Sequence, residues 1–315
     1  MLKLAGDDRP IAIASLFVLV ILAMGSAYTL ATQGNLAFLN PGYLLQQLQV
    51  GAFLGIVAAG MMLVILLGHI DLSVPWTLTA AAMVATAVGG QLAVPVGLAI
   101  GLAVGIFNGI GVAYLRVPSM IFTLGVNAMM RGFMVMLTGG FAPQTDATAL
   151  MTFLATGRVL GLPMALVVWA LVSAAMVFLL GRTVFGRYVY AIGNRESAAY
   201  LSGVPTRAVL VAAFALCGLC AGLSGVLLAG YSAKAYQGMG DAYLLPAIAA
   251  VVIGGTHILG GRGRYAGTIV GTILITLLSS VLSVMQMPEA GRQVIYGLVI
   301  IAMLLAYARG QRVGG

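Results

Sequence analysis

Charged side chains are scarce in this 315-residue sequence, at 7% of residues against 62% hydrophobic ones. Soluble domains carry roughly a quarter charged residues, so a water-soluble fold is excluded. Cysteine is almost missing. The only two, Cys217 and Cys220, are three apart on one helix face within an apolar segment, with no second pair or nearby histidine to complete a metal site. They read as small packing residues. Also absent are a Gly-x-x-x-x-Gly-Lys-Ser/Thr loop to hold nucleotide phosphates, a His-Glu-x-x-His pair, and any span with a chain of carboxylates for proton relay. Uphill transport by this chain would therefore draw its energy from elsewhere. A membrane-embedded enzyme would need a nucleophile, base or metal cluster, and none is recognisable.

What is present is a series of long apolar runs. A helix rises about 1.5 Å per residue and the hydrocarbon core is about 30 Å thick, so roughly 20 apolar residues make one crossing. The runs predict an all-α, polytopic integral membrane protein with one transmembrane domain over 1–315 and about ten spans. These lie near 11–30, 48–67, 73–88, 92–115, 117–138, 162–180, 208–229, 244–259, 265–285 and 294–307. The third and eighth are short and flanked by Gly or Pro, so they read as broken or only partly spanning. The first is too long for a secretory signal core of roughly 7 to 15 residues.

The net charge of +8 is membrane topology here and not nucleic-acid binding, because the basic residues cluster in short loops between spans. With the N-terminus inside, Lys3, Arg9, Arg116, Arg182, Arg187, Arg195, Arg207, Arg262, Arg264, Arg309 and Arg312 fall on the cytoplasmic side. Arg158, Lys234 and Arg292 fall outside, and Arg131 lies within a span. Both termini are then cytoplasmic and the 139–160 connection faces out.

Helix packing in lipid relies on small residues that let backbones approach, and Gly97, Gly101, Gly105 and Gly109 form a four-residue ladder on one face. Gly218 with Gly222 and Gly267 with Gly271 repeat the spacing. The Gly68-His69-Ile70 and Thr256-His257-Ile258 turns suggest two five-helix halves in an inverted five-plus-five repeat, a common transporter plan.

Two polar segments stand out. In Gly68-His69-Ile70-Asp71-Leu72-Ser73-Val74-Pro75, a carboxylate lies between two spans and must be capped, paired or wet. Asp71 or Ser73 could cap the following helix, with Pro75 in its first turn, or could line or gate a solute path. Arg131 should point into protein or a watery cavity, for pairing or for solute contact. Asn108 and Asn127 are the other candidates for pathway or gating. The second segment is Asn194-Arg195-Glu196-Ser197-Ala198-Ala199-Tyr200-Leu201-Ser202-Gly203-Val204-Pro205, which predicts a surface helix of about two turns with Asn194 as N-cap, Gly203 at its C-terminal end and Pro205 preventing continuation. A helix so short needs something to pack on. It is either an interfacial loop helix or a docking helix for a cytoplasmic partner, with Ala198, Ala199 and Leu201 as its apolar contacts.

In order along the chain, four stretches resemble the permease of ribose-type ATP-binding-cassette importers. Gly68-His69-Ile70-Asp71-Leu72-Ser73 is similar to that family's Gly-Gly-Ile-Asp-Leu-Ser, with His69 in place of the second glycine. The 118–140 stretch, with Thr123-Leu124-Gly125, Arg131-Gly132 and Thr138-Gly139-Gly140, resembles its fifth span. The 186–203 stretch resembles its cytoplasmic coupling segment, and the 247–263 stretch its glycine-rich C-terminal signature. The resemblance implies a pair of permeases, identical or related, with cytoplasmic ATPase subunits that hold ATP and Mg. It also implies an external or periplasmic binding protein that delivers a sugar or sugar-like solute across a bacterial inner membrane. The chain itself would need no cofactor. Asn194, Arg195, Glu196, Ser197, Ala198, Ala199, Leu201 and Gly203 would form the coupling helix. The same architecture could import nucleosides or branched-chain amino acids, and a stand-alone secondary transporter or channel is the rival from another class.

Overall fold

The structure, a computed structural model, describes residues 9–312. Lys3 lies outside the described residues, and of Arg9, Arg309 and Arg312 only the helical backbone is described. Helix α1 (Arg9–Gln33) leads into α2 (Pro41–Leu66), which Asn40 starts by accepting from the Gly42 and Tyr43 amides, with Pro41 in the first turn. From Gly51 to Leu66 every residue of α2 is buried, so this helix is the axis of the bundle. It stops at Gly68, whose φ of +80° turns the chain while the Gly68 and His69 amides bond to the Ile65 and Val64 carbonyls. The positive φ belongs to Gly68, and His69 is not among the positive-φ residues, so histidine is tolerated where the family segment has glycine.

Short α3 (Val74–Val88) follows, then α4 (Ala93–Ala113) and α5 (Ser119–Thr138). The connection beyond α5 holds α6 (Ala149–Thr156) and a hairpin of β1 (Arg158–Val159) with β2 (Leu162–Pro163), whose strands have only two residues each. Then come α7 (Met164–Arg182), α8 (Val184–Asn194), α9 (Glu196–Leu201), α10 (Thr206–Ser232), α11 (Leu244–Ile253), α12 (Tyr265–Val284) and α13 (Glu289–Arg312). Among the described residues, seven helices are long and apolar enough to cross a membrane: α1, α2, α4, α5, α7, α10 and α12. The predicted third and eighth spans are the short α3 and α11, with 15 and 10 residues, and the tenth falls in α13. The protein is a multi-pass, all-helical membrane bundle.

Glycine does set the closest approach. A Cβ on Gly101 would strike the Gly218 carbonyl and lie 3.0 Å from the Gly222 nitrogen, and one on Gly218 would lie 2.8 Å from Gly105 Cα. So α4 and α10 touch backbone to backbone along the predicted ladder. Gly267 and Gly271 bring α12 against Gly254 and Ala250 in the same way. Cys217 and Cys220 are free, buried, and face Gly60 of α2.

Loops holding Arg116, the 182–207 segment and Arg262 meet at one end of the bundle, where Arg116 pairs with Glu196 and Tyr190 donates to the Gly263 carbonyl. The opposite end gathers the 139–148 connection and the segment after α10, joined by Lys234 to Asp146 at 3.4 Å and by the Ala147 amide to the Ala233 carbonyl. The two His-containing turns are direct neighbours at the basic end: Gly68 packs on the Leu259 carbonyl, and the Gly261 amide donates to the Leu66 carbonyl at 2.9 Å. They follow the second and eighth spans, which are not equivalent places in two five-span halves. Their likeness marks a contact, not a repeat. The elements that do hold comparable places are the short α3 and α11.

Candidate functional site

Chain reversal between α2 and α3 leaves backbone amides and a carboxylate inside the bundle, and each needs a partner there because lipid offers none. Asp71 is 1% exposed, and Ser73 and Asn108 are fully buried. Asp71 Oδ1 accepts from the Ser73 amide at 2.9 Å and from Ser73 Oγ at 2.6 Å. Asn108, on α4, donates through Nδ2 to Ser73 Oγ at 2.7 Å and more weakly to both Asp71 oxygens. The cap on α3 is therefore Asp71. Ser73 holds the N-cap position but makes no side-chain cap bond, because its hydroxyl is committed to the carboxylate.

Helix α5 supplies the remaining partners. Ser119, Thr123, Asn127 and Arg131 recur every four residues, so they share one face. The Ser119 hydroxyl lies 3.2 Å from His69 Nδ1 and is met by the Ile70 amide; Thr123 Oγ1 accepts from the Leu72 amide at 2.9 Å. Asn127 Oδ1 accepts from the Trp76 amide at 3.3 Å, and the Arg131 guanidinium sits 5.9 Å from the Trp76 ring centroid. A polar stripe on an otherwise apolar helix thus reads off the broken segment residue by residue. All five sequence candidates, Asp71, Ser73, Asn108, Asn127 and Arg131, converge here. Arg131 is exposed along the side of the chain, whereas the carboxylate cluster is sealed. Ser119 and Thr123 were missed as site residues, although their four-residue spacing from Asn127 was visible.

At the basic end the predicted two-turn helix is instead the second arm of a bent pair. Helix α8 begins under a Thr183 cap and buries Gly186, Val189 and Ile192. Asn194 is its last residue: its side chain donates back to the Tyr190 carbonyl, so it does not cap α9. The extended Arg195 takes that position without a side-chain bond. The sequence reading predicts a helix only from Asn194 onward and does not include α8, where Gly186 and Gly193 sit. They are packing sites: a Cβ on Gly193 would strike the Leu66 carbonyl and the Gly261 amide nitrogen.

In α9, Glu196 binds Arg116 at 2.7 Å across a half-exposed surface. Ala199 is 6% exposed and packs into the bundle core, so it is not a docking contact. The outward surface is Arg195, Ser197, Ala198, Tyr200 and Leu201, with Leu201 85% exposed. Gly203 ends the helix at φ +81°, with its amide on the Tyr200 carbonyl and the Val204 amide on the Ala199 carbonyl, as its place in the sequence predicts. Nearby, burial and Arg262 hold the His257 imidazole below its ordinary pKa. Among the described residues no three His, Cys, Asp or Glu side chains gather to hold a metal ion.

Comparison with known proteins matches residues 43–304 to the family described as branched-chain amino acid transport system / permease component. Relatives include the ribose import permease protein of Bacillus subtilis, 37% identical over 86% of this chain and 86% of its own. That of Haemophilus influenzae is 36% identical over 84% and 83% respectively. An autoinducer 2 import system permease protein of Yersinia pestis is 34% identical over 79% of this chain and 72% of its own. No solved structure matches the chain.

Proposed function

The chain belongs to this family of transport-system permease components, and on that premise we propose that it forms half of the transmembrane pathway of a binding-protein-dependent importer for a sugar or sugar-like solute. Ribose and autoinducer 2 are the cargoes in the names of its relatives. The observation that carries the reading is the sealed cluster of Asp71, Ser73 and Asn108. The one carboxylate of the broken segment is spent on geometry, which leaves a path suited to a neutral solute. A second permease, identical or related, completes the path. ATP and Mg act in separate ATPase subunits that dock on the exposed face of α9, and the isolated chain is not an enzyme. The membrane is a bacterial inner membrane with the basic end and both termini in the cytoplasm.

Junctions at the basic end support a mechanical role for that docking. Gly193 of α8 touches the Leu66 carbonyl, and Gly261 bonds to the same residue, so a push on α8 and α9 is delivered to the end of α2, beside the broken segment. The assay is purification of the assembled complex with its binding protein and identification of the bound small molecule by mass spectrometry. A sugar or sugar-like compound is the expected result; a nucleoside or a branched-chain amino acid would overturn the cargo assignment.

A further inference from the structure

At the end opposite the basic loops, α2, α11, α12 and α13 line a half-open cavity of about 370 Å³ that includes none of the five pathway candidates. It falls at the small end of the roughly 300 to 1,000 Å³ typical of small-molecule sites. For a membrane bundle its lining is unusually rich in hydroxyls: Tyr43, Tyr243, Thr276, Ser279, Ser280 and Tyr296. Its charges cancel, because Arg292 pairs with Glu289 at 3.0 Å. Gln47 adds a neutral amide.

Two polar atoms of the lining are buried without a partner, Thr276 Oγ1 and Arg292 Nε. Thr276 is the telling one, being 8% exposed. Most helical threonines of this bundle bond to the carbonyl four residues back, as do Thr77, Thr79, Thr123 and, one turn earlier on the same helix, Thr272, whereas Thr268 meets Met62 Sδ. Thr276 forgoes that bond. Opposite it is Gly51, where a Cβ would lie 2.7 Å from Thr276 Oγ1, so a glycine on α2 is what leaves room for the hydroxyl at the cavity wall. Leaving a buried hydroxyl unsatisfied is unfavourable unless something comes to it.

We propose that this cavity is a binding site within a single permease subunit for a neutral polyhydroxylated ligand, with Thr276, Ser279 and Ser280 as its hydrogen-bonding floor. Neutral because the only cation is already paired, and polyhydroxylated because the lining both donates and accepts at several points. The proposal deepens the sugar reading above and rests on it. Two sources share this chemistry, a free sugar and the glycosyl headgroup of a lipid.

The test uses the full chain in phosphatidylcholine nanodiscs, without ATPase or binding protein and without glycosidic detergent. Saturation-transfer NMR is recorded with D-ribose, D-glucose and, as a charged non-polyol control, leucine. Transfer to at least one sugar and not to leucine is expected. Thr276→Val, which keeps the shape and removes a hydroxyl that has no internal partner, should not lower thermal stability and should weaken sugar binding about three- to tenfold; Ser280→Ala, which also removes the partner that the Tyr43 hydroxyl meets at 2.6 Å, should weaken binding likewise. Discs that add a galactosyl lipid separate the sources: displacement of the sugar assigns the site to a headgroup, and undiminished binding assigns it to free sugar. Absence of transfer, or equal transfer in both stable variants, would overturn the site. ATP-driven sugar uptake by the assembled complex with no binding by the isolated chain would remove the cavity proposal and leave the importer reading standing.

Discussion

Consecutive helices α4 and α5 are both apolar enough to cross a membrane, yet they hold to the bundle by opposite means. Helix α4 abuts α10 through glycines, with backbone against backbone where Gly101 and Gly105 meet Gly218 and Gly222. Helix α5 buries few residues and is tied mainly through Ser119, Thr123 and Asn127 to a segment that has no helix hydrogen bonds of its own. The first contact has one close-packed arrangement. The second is a set of directional bonds that can be exchanged one at a time, which suits an element that must move. On the proposed import path, α4 would be the scaffold and α5 the gate.

Breaking the scaffold should have the largest effect. Gly101→Val drives a branched side chain into the Gly218 carbonyl and the Gly222 backbone, and overpacking against backbone costs about 3 kcal/mol. The expected outcome, read by detergent-exclusion chromatography and thermal melting, is loss of folded protein. Next comes Asp71→Leu, which strands the Ser73 amide and the Ser73 hydroxyl, at a cost on the order of 3 kcal/mol. Asp71→Asn keeps an acceptor for the Ser73 amide and should retain much more transport. Equal loss in both variants, with the complex assembled, would mean that the negative charge itself is required.

Exchanging one rung of the α5 stripe should cost less. Thr123→Val removes the acceptor for the Leu72 amide and should lower the melting point by an amount matching about 1 kcal/mol, with a larger drop in uptake than in assembly. Gly203→Val meets no atom within 4 Å, so its cost is only that of a branched residue at positive φ, about 1 to 2 kcal/mol. It should reduce stimulated ATP hydrolysis in the complex while the bundle stays folded. Smallest is Glu196→Gln: its pair with Arg116 is half exposed and worth roughly 0.2 to 1 kcal/mol, so stability should hardly change.

Most of the fold was legible because membrane spans announce themselves by length and apolarity, and the α4 ladder by its spacing. The Asp71 cluster was legible as a set of residues but not as a geometry: nothing in the sequence says that Asn108, on another helix, meets Ser73. Misreadings came from glycine and from short-range capping logic. The packing role of Gly193 was not legible because its reason, close approach to Leu66, lies far away in sequence. Asn194 looked like an N-cap because caps are local rules, and the preceding α8, amphipathic and interrupted by glycines, was hidden from them. Ala199 reads as a docking contact for its apolar side chain, whereas in the fold it is buried against the bundle.

The central claim is that this chain is an import path whose broken segment is held by a neutral polar network. Its most direct test is uptake of a labelled monosaccharide into proteoliposomes holding the chain with its ATPase and binding protein, for the wild type, Asp71→Asn and Asp71→Leu. The account predicts uptake that requires ATP, persists in Asp71→Asn and is lost in Asp71→Leu. Uptake without ATP by the chain alone, or equal abolition in both variants of an assembled complex, would contradict it.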